Sequence, residues 1–331
     1  MNFRTIVPIE QSIYKIGYSS KILSIGSCFS VNIAQKLEHH KFQIVINPFG
    51  ILFHPLVIEK MIRRALENSF FQEENFFQHN DLWHSFDVHS ELSQTSLSNA
   101  KLIANQKLIE LQKALKEADF IFITLGTAWV YEHYQKGIVA NCHKLPQTNF
   151  SKKLLSTKEI ETSLWEISHK IEATNPNAKI IFTISPVRHI KDGFAENQLS
   201  KSHLICGLHS FLAKNNLLAK APYYIESNRS YFPAYEIMID ELRDYRFYTE
   251  DMLHPSEIAV QYIWQRFIQT YIDETCLPDM KLIDSIQKSL QHRSFNPESE
   301  QFKSFQQNLQ EKIRAITHKF KTNGIHLHFE K

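Results

Sequence analysis

The residues best suited to chemistry lie in two short stretches far apart in the chain. The first is "LSIGSCFSVNIAQKL", from Leu23 to Leu37, which reads as an apolar strand, a Gly-led turn and a helix. The turn carries Ser27, Cys28 and Ser30, any of which could be a nucleophile. The second is "EDMLHPSEIAVQYIW", where Asp251 and His254 form an Asp-x-x-His pair and Pro255 opens a helix. An acid three residues before a histidine can orient the imidazole through one ring nitrogen. The other nitrogen is then free to take a proton from a nucleophile. Each stretch has an ordinary alternative. Ser27 would make a good helix N-cap, Cys28 a small buried hydrophobe, and Asp-x-x-His pairs arise often by chance. Taken together they supply a nucleophile, a base and an orienter, which is the equipment of acyl transfer.

The elements that must bring these stretches together are legible as alternating strands and helices. Short apolar runs over 21–26 ("KILSIG"), 42–46 ("FQIVI"), 119–125 ("DFIFITL"), 179–184 ("KIIFTI") and, more weakly, 222–225 ("PYYI") read as strands buried on both faces. Amphipathic segments over 31–40, 55–68, 98–117, 157–174, 200–216 and 255–272 read as helices. Such alternation predicts a parallel sheet covered on both faces. The first motif then falls at the carboxyl end of strand one and the amino end of helix one. Open parallel sheets build their sites at that edge. A helix amino terminus there offers free N–H groups and a positive dipole end, which stabilise an oxyanion or a thiolate.

"SPVRH" follows the fourth strand and reaches the same edge. Arg188 could hold a carboxylate or phosphate by paired N–H bonds, or sit in a structural ion pair, and His189 could be a second base. Arg243 and Arg246, interleaved with acids and aromatics, read as structural. The stretches over 69–97 and 128–156 are irregular insertions, but their aromatics (Trp83, Phe86, Trp129, Tyr131) argue for order. After Leu277, Leu282, Ile283, Ile286 and Leu290 form one helical stripe, and Phe302, Phe305, Leu309, Ile313, Ile316 and Phe320 another. This tail is expected to pack on the sheet domain, with "IHLHF" alternating like a strand. The expected division is therefore an α/β domain over 1–276 and a helical extension over 277–331.

Composition narrows the partners. The net charge is +2 over 331 residues, with both signs interspersed, so no nucleic acid or anionic membrane surface is expected. The N-terminal "MNFRTIVPIEQSIYKIGYSS" has charges and a proline where a signal peptide needs an unbroken apolar run. Four cysteines without CxxC spacing suggest a reduced, cytoplasmic protein. The 17 histidines include His39-His40 and His326-x-His328, neither with the spacing of a closed zinc site, so no metal is expected. There is no Walker loop and no GxGxxG, so no nucleotide cofactor is expected.

"IGSCFS" resembles the signature of the GSCFA family, a group related to the SGNH/GDSL hydrolases. "NPFGILFHP", "TLGTAWVYE", "NCHKLP", "SPVRH", "YFPAYEIMIDELRDYRFY" and "DMLHPS" resemble the same family in the same order, from about Phe3 to about Thr270. The tail after Leu277 lies outside that likeness. The resemblance implies an SGNH-like (flavodoxin-like) three-layer α/β/α sandwich. In its register Cys28 takes the nucleophile position and Ser27 the preceding one, and Ser30 becomes a first-turn helix residue. Gly50 of "INPFG" matches the second block, with Asn47 in the same stretch an oxyanion or substrate-binding candidate, and Asp251 and His254 match the last. In the third block, "LGTAW" places Ala128 where the pattern has an oxyanion-hole Asn, leaving Thr127 and Asn141 as equal substitutes. Backbone N–H groups at Cys28 and Gly50 would be the remaining donors. The implied activity is an ester hydrolase or acyl transferase acting on a small acyl ester or an O-acylated carbohydrate. The alternatives are Ser27 as nucleophile, or a non-catalytic protein that binds an acyl or glycan ligand in the same cleft.

Overall fold

The computed structural model describes residues 5–215, 227–292, 296, 299–322 and 324–329. Five parallel strands make the central sheet: β1 (Lys21–Gly26), β2 (Gln43–Ile46), β3 (Phe120–Leu125), β4 (Lys179–Ile184) and β5 (Arg229–Tyr231). Their order is β2-β1-β3-β4-β5. The chain steps one way from β1 to β2, then crosses back to β3. Such a reversal opens a crevice at the carboxyl ends of the two strands where it occurs, here β1 and β3.

The strands are apolar throughout because both faces are covered. Leu23, Ile25, Ile121, Ile123, Leu125, Ile180, Phe182 and Ile184 face α2 (Pro55–Leu66), α3 (Leu97–Glu117), α4 (Thr157–Thr174) and α5 (Phe194–Asn215). Ile22, Phe120, Phe122 and Ile181 face α1 (Cys28–His39) and α6 (Glu257–Tyr271) on the other side. The result is the three-layer α/β/α sandwich. Burying each Leu, Ile or Phe in these layers contributes about 1.5–3 kcal/mol.

Two further helices, α7 (Leu277–Gln291) and α8 (Glu300–Thr322), pack on the α1 side. Ile283, Ile286, Leu309, Ile316 and Phe320 are buried in the same core as Phe29, Ile33 and Leu37. The tail therefore docks on the sheet domain. "IHLHF" forms no strand; its Leu327 is buried in that core, with Ile325 and Phe329 packed against it. The expected strand over 222–225 lies outside the described residues, and β5 follows it. The two insertions are ordered. One holds a hairpin of Phe77–His79 and Leu82–His84. The other forms an antiparallel sheet of Trp129–His133, Gly137–Val139 and Phe150–Leu154. Among the described residues, no helix is long and apolar enough to cross a membrane.

Two buried histidines give the fold a pH dependence. His54 caps α2, its Nδ1 accepting from the Val57 N–H, and its Nε2 side meets the Val139 carbonyl at 3.2 Å. The His143 Nε2 lies 2.7 Å from the Ser85 carbonyl. Burial pushes both imidazoles down to about 4. The unfolded chain takes up these protons near pH 6.5 and the folded chain does not, so stability falls as pH drops below about 6.5. The slope is up to about 1.4 kcal/mol per pH unit for each group. Urea midpoints are expected to be level from pH 8 to 7 and to fall between pH 6.5 and 4.5. The His54→Asn variant, which keeps a capping acceptor, should show a shallower fall. A midpoint flat across that window would refute the assignment.

Candidate active site

The first helix starts at Cys28, not at Val31 as the apolar periodicity suggests. Ser27 is extended (φ −69°, ψ 174°) and its carbonyl accepts the Ser30 N–H at 2.9 Å, closing the first turn. Cys28 is thus the first helical residue. Its half-buried thiol is raised by burial, but Lys201 and the N–H groups of Phe29 and Cys28 pull it the other way. A helix amino terminus is the expected place for a stabilised thiolate. Ser27 is fully buried and its Oγ has no hydrogen-bond partner among the described residues. A substrate cannot reach it without the turn opening. The Ser30 hydroxyl donates to the Ser27 carbonyl at 2.7 Å and accepts from Asn47 Nδ2 at 2.9 Å.

Gly26 makes the turn possible. Its φ is +143°, and a methyl group added there would lie 2.2 Å from the Thr124 carbonyl oxygen. The glycine lets β1 and β3 run side by side to the turn, where the Ser27 N–H reaches the same oxygen at 3.0 Å.

The Asp-x-x-His segment is a tightly bonded loop leading into α6. One Asp251 oxygen accepts from Thr249 Oγ1 at 2.7 Å and from the N–H groups of Leu253 and His254 at 2.8 and 3.0 Å. The other oxygen lies 2.6 Å from His254 Nδ1. These bonds, the Thr249 hydroxyl first, hold the Asp251 carboxyl well below the usual carboxylate range. Asp251 therefore stays ionised and fixes the ring through Nδ1. The loop is tied to the end of β4 by the Arg188 N–H, which donates to the Leu253 carbonyl at 3.3 Å. Among the described residues, no hydrogen bond joins His254 to Cys28 or Ser27.

The other candidates divide. Asn47 accepts the Gly26 N–H at 2.8 Å, so it braces the turn while lining an open groove beside Cys28 with Val31, Asn32, Ile46, Gly50, Ile51 and Glu91. The Gly50 N–H donates to the Asn47 carbonyl at 2.8 Å, which spends it inside that turn and removes it as a ready oxyanion donor. The Thr127 hydroxyl is 3.0 Å from Ser200 Oγ and accepts the Trp129 N–H at 3.0 Å. Asn141 Oδ1 accepts the His143 N–H at 2.8 Å in the turn after Gly137–Val139, outside the groove. Arg188 has no carboxylate partner among the described residues, so the ion-pair alternative is not seen there. His189 packs edge-on against Phe53 and is pushed by burial down to about 3, which makes it a poor second base. Arg243 and Arg246 pair with Asp240 and Asp244, as structural residues would.

One residue at this edge escaped the sequence reading. Lys201, on α5, is 1 % exposed, and its ammonium donates to the Gly126 and Ser185 carbonyls, both at 2.7 Å. Burial pushes it down to about 7. The preceding Ser200 holds the Ala128 N–H at 2.7 Å. A signal was present in the sequence. Asn197, Lys201, Leu204, Leu208 and Phe211 share one helical stripe, and a lysine on an apolar stripe asks for a buried partner.

Residues 21–267 match the GSCFA family, and residues 283–330 match its C-terminal domain. The chain belongs to the GSCFA family. The tail, expected to lie outside the resemblance, is thus part of the GSCFA architecture. No curated protein matches the sequence. Among solved structures, the chain is similar to an acetyl xylan esterase from the rumen bacterium Butyrivibrio proteoclasticus, with 11 % identity and a TM-score of 0.34. That match covers 76 % of this chain and 63 % of the esterase, so the GSCFA chain spans less than two thirds of its length.

Proposed function

We propose that the chain is an ester hydrolase or acyl transferase with Cys28 as nucleophile and His254, oriented by Asp251, as base. The observation that carries this is the 2.6 Å Asp251–His254 pair, set at the same sheet edge as a thiol in the first turn of a helix. In the proposed reaction the Cys28 proton passes to His254 Nε2; catalytic hydrogen bonds are often loose in empty sites. The sulfur attacks the acyl carbonyl, and the tetrahedral oxyanion forms near the N–H groups that open α1. Collapse expels the alcohol, which takes the proton from His254, and leaves a thioester. Water or a sugar hydroxyl, deprotonated by His254, then takes the acyl group and restores the thiol.

The groove beside Cys28 suits a small substrate. Val31, Ile46 and Ile51 would receive a short acyl chain, and Asn32 and Glu91 would receive hydroxyl groups. A small ester or O-acylated carbohydrate is therefore the proposed substrate class. A second reading, ligand binding without turnover, is favoured by the buried methyl of Ala128 at the pattern's oxyanion position, with its N–H already held by Ser200.

Incubation with p-nitrophenyl acetate, followed by peptide mass spectrometry, tests this. The expected result is an acetyl adduct on the Cys28 peptide that Ser27→Ala retains and Cys28→Ala loses. An adduct on Ser27 would overturn the thiol assignment. No adduct and no turnover across a broad ester panel would leave the binding reading.

A further inference from the structure

We propose that Lys201 is a positioning residue for Cys28, its buried ammonium serving as the counter-ion of the Cys28 thiolate across the carboxyl ends of β3 and β4. The inference rests on Cys28 as the reactive group proposed above, but it concerns the state of the sulfur and not the identity of the substrate.

Placement is the first argument. Lys201 Nζ is anchored at 2.7 Å to the carbonyls of Gly126 and Ser185, the residues that directly follow β3 and β4. Gly126 lies against the nucleophile turn. A methyl group added to it would stand 2.9 Å from Ser27 Cβ. The ammonium is therefore bonded to the backbone that packs on the Ser27 side chain, and Lys201 and Cys28 each feel the other's charge.

Charge balance is the second argument. A buried ammonium is costly unless an anion is near. Among the described residues no carboxylate pairs with Lys201. Its other neighbours are Arg188, which repels it, and the Tyr235 ring at 5.9 Å. His189 lies close enough to feel both Lys201 and His254. Glu91 lines the groove with Cys28 and lies 3.5 Å from His89 Nδ1. The Cys28 sulfur is thus the group that can balance the buried charge. When the Cys28 proton passes to His254, the Lys201 ammonium balances the thiolate that forms.

The test reads the thiol and not turnover. Iodoacetamide alkylation of Cys28 is followed by peptide mass spectrometry from pH 5 to 10, with exposed Cys206 as internal control. Lys201→Met is expected to slow Cys28 alkylation at pH 7 by about tenfold or more and to move its profile to higher pH, since thiolate is the reacting form. Cys206 should be unaffected. Lys201→Met also removes two buried hydrogen bonds, so the reciprocal measurement is made on full-length Cys28→Ala by following the Lys201 side-chain NMR signal against pH. Its midpoint should fall once the sulfur is gone, as linkage requires. An unchanged Cys28 profile in folded Lys201→Met, or an unchanged Lys201 midpoint in Cys28→Ala, overturns the proposal. Intact coupling without any acyl adduct would reject the esterase reading alone.

Discussion

Cys28→Ala is expected to lower turnover of an activated acyl ester by about 10³-fold or more, while the protein keeps its wild-type melting behaviour. The size follows from removing the group that forms the covalent bond, whatever else remains in the site. The fold should tolerate the change. Cys28 is only half-buried, and alanine is a good helix former at the start of α1. His254→Ala should cost about 10²–10⁴-fold, the range for a general acid and base, also without unfolding, since its side chain is half exposed. Asp251→Asn should lower turnover and loosen the loop, because four bonds converge on that carboxylate. In the wild type, turnover should rise with pH as the thiol ionises, since burial holds it above its ordinary value. Steady-state kinetics with p-nitrophenyl acetate, beside thermal melts, measure these effects. Wild-type turnover in Cys28→Ala would refute the thiol mechanism.

Gly26→Ala is expected to destabilise the protein by about 4 kcal/mol or more, enough to abolish soluble expression of a domain of ordinary stability. The reason is steric and leaves no route for relaxation. The added methyl would meet the Thr124 backbone at 2.2 Å, and Thr124 is the register partner of Gly26 in the sheet. Relief would require β1 and β3 to part at their carboxyl ends. That would break the Ser27 N–H bond to Thr124 and move the Cys28 turn with it. The φ of +143° adds a backbone cost for any residue with a Cβ. Gly17→Ala is the control. Nothing lies within 4 Å of its added methyl, so its urea midpoint should shift by under about 1 kcal/mol. Equal midpoints for the two variants would refute the argument.

Much of the fold was legible because a buried parallel strand needs an unbroken apolar run. β1 and β4 fall where "KILSIG" and "KIIFTI" place them, and α4 has its expected bounds. Helix starts were less legible. α1 begins inside "GSCFS", because its first turn is set by an extended Ser27 and not by apolar spacing. α5 begins at Phe194, ahead of the expected 200, because Asn197 is bonded into the turn through the His189 N–H. The fifth strand is short and lies beyond the expected run.

The sequence by itself determined the alternation of strands and helices, and hence the sheet edge at which the "GSCFS" turn lies. It also determined the local acid–imidazole pair, because residues three apart in one tight loop can bond without help from the rest of the chain. Only the tertiary structure decided the environment of the sulfur. Burial of Ser27 depends on how closely Gly126 approaches it, and the loss of the Gly50 N–H depends on the turn that Asn47 closes. Lys201 lies 173 positions after Cys28 (201 minus 28), on a helix whose apolar stripe marks the lysine as buried but does not say what it meets. Packing α5 over the ends of β3 and β4 brings its charge to the Gly126 and Ser185 carbonyls. Electrostatic partners set by packing between distant segments leave no periodic trace in a sequence, whereas strands and helices do.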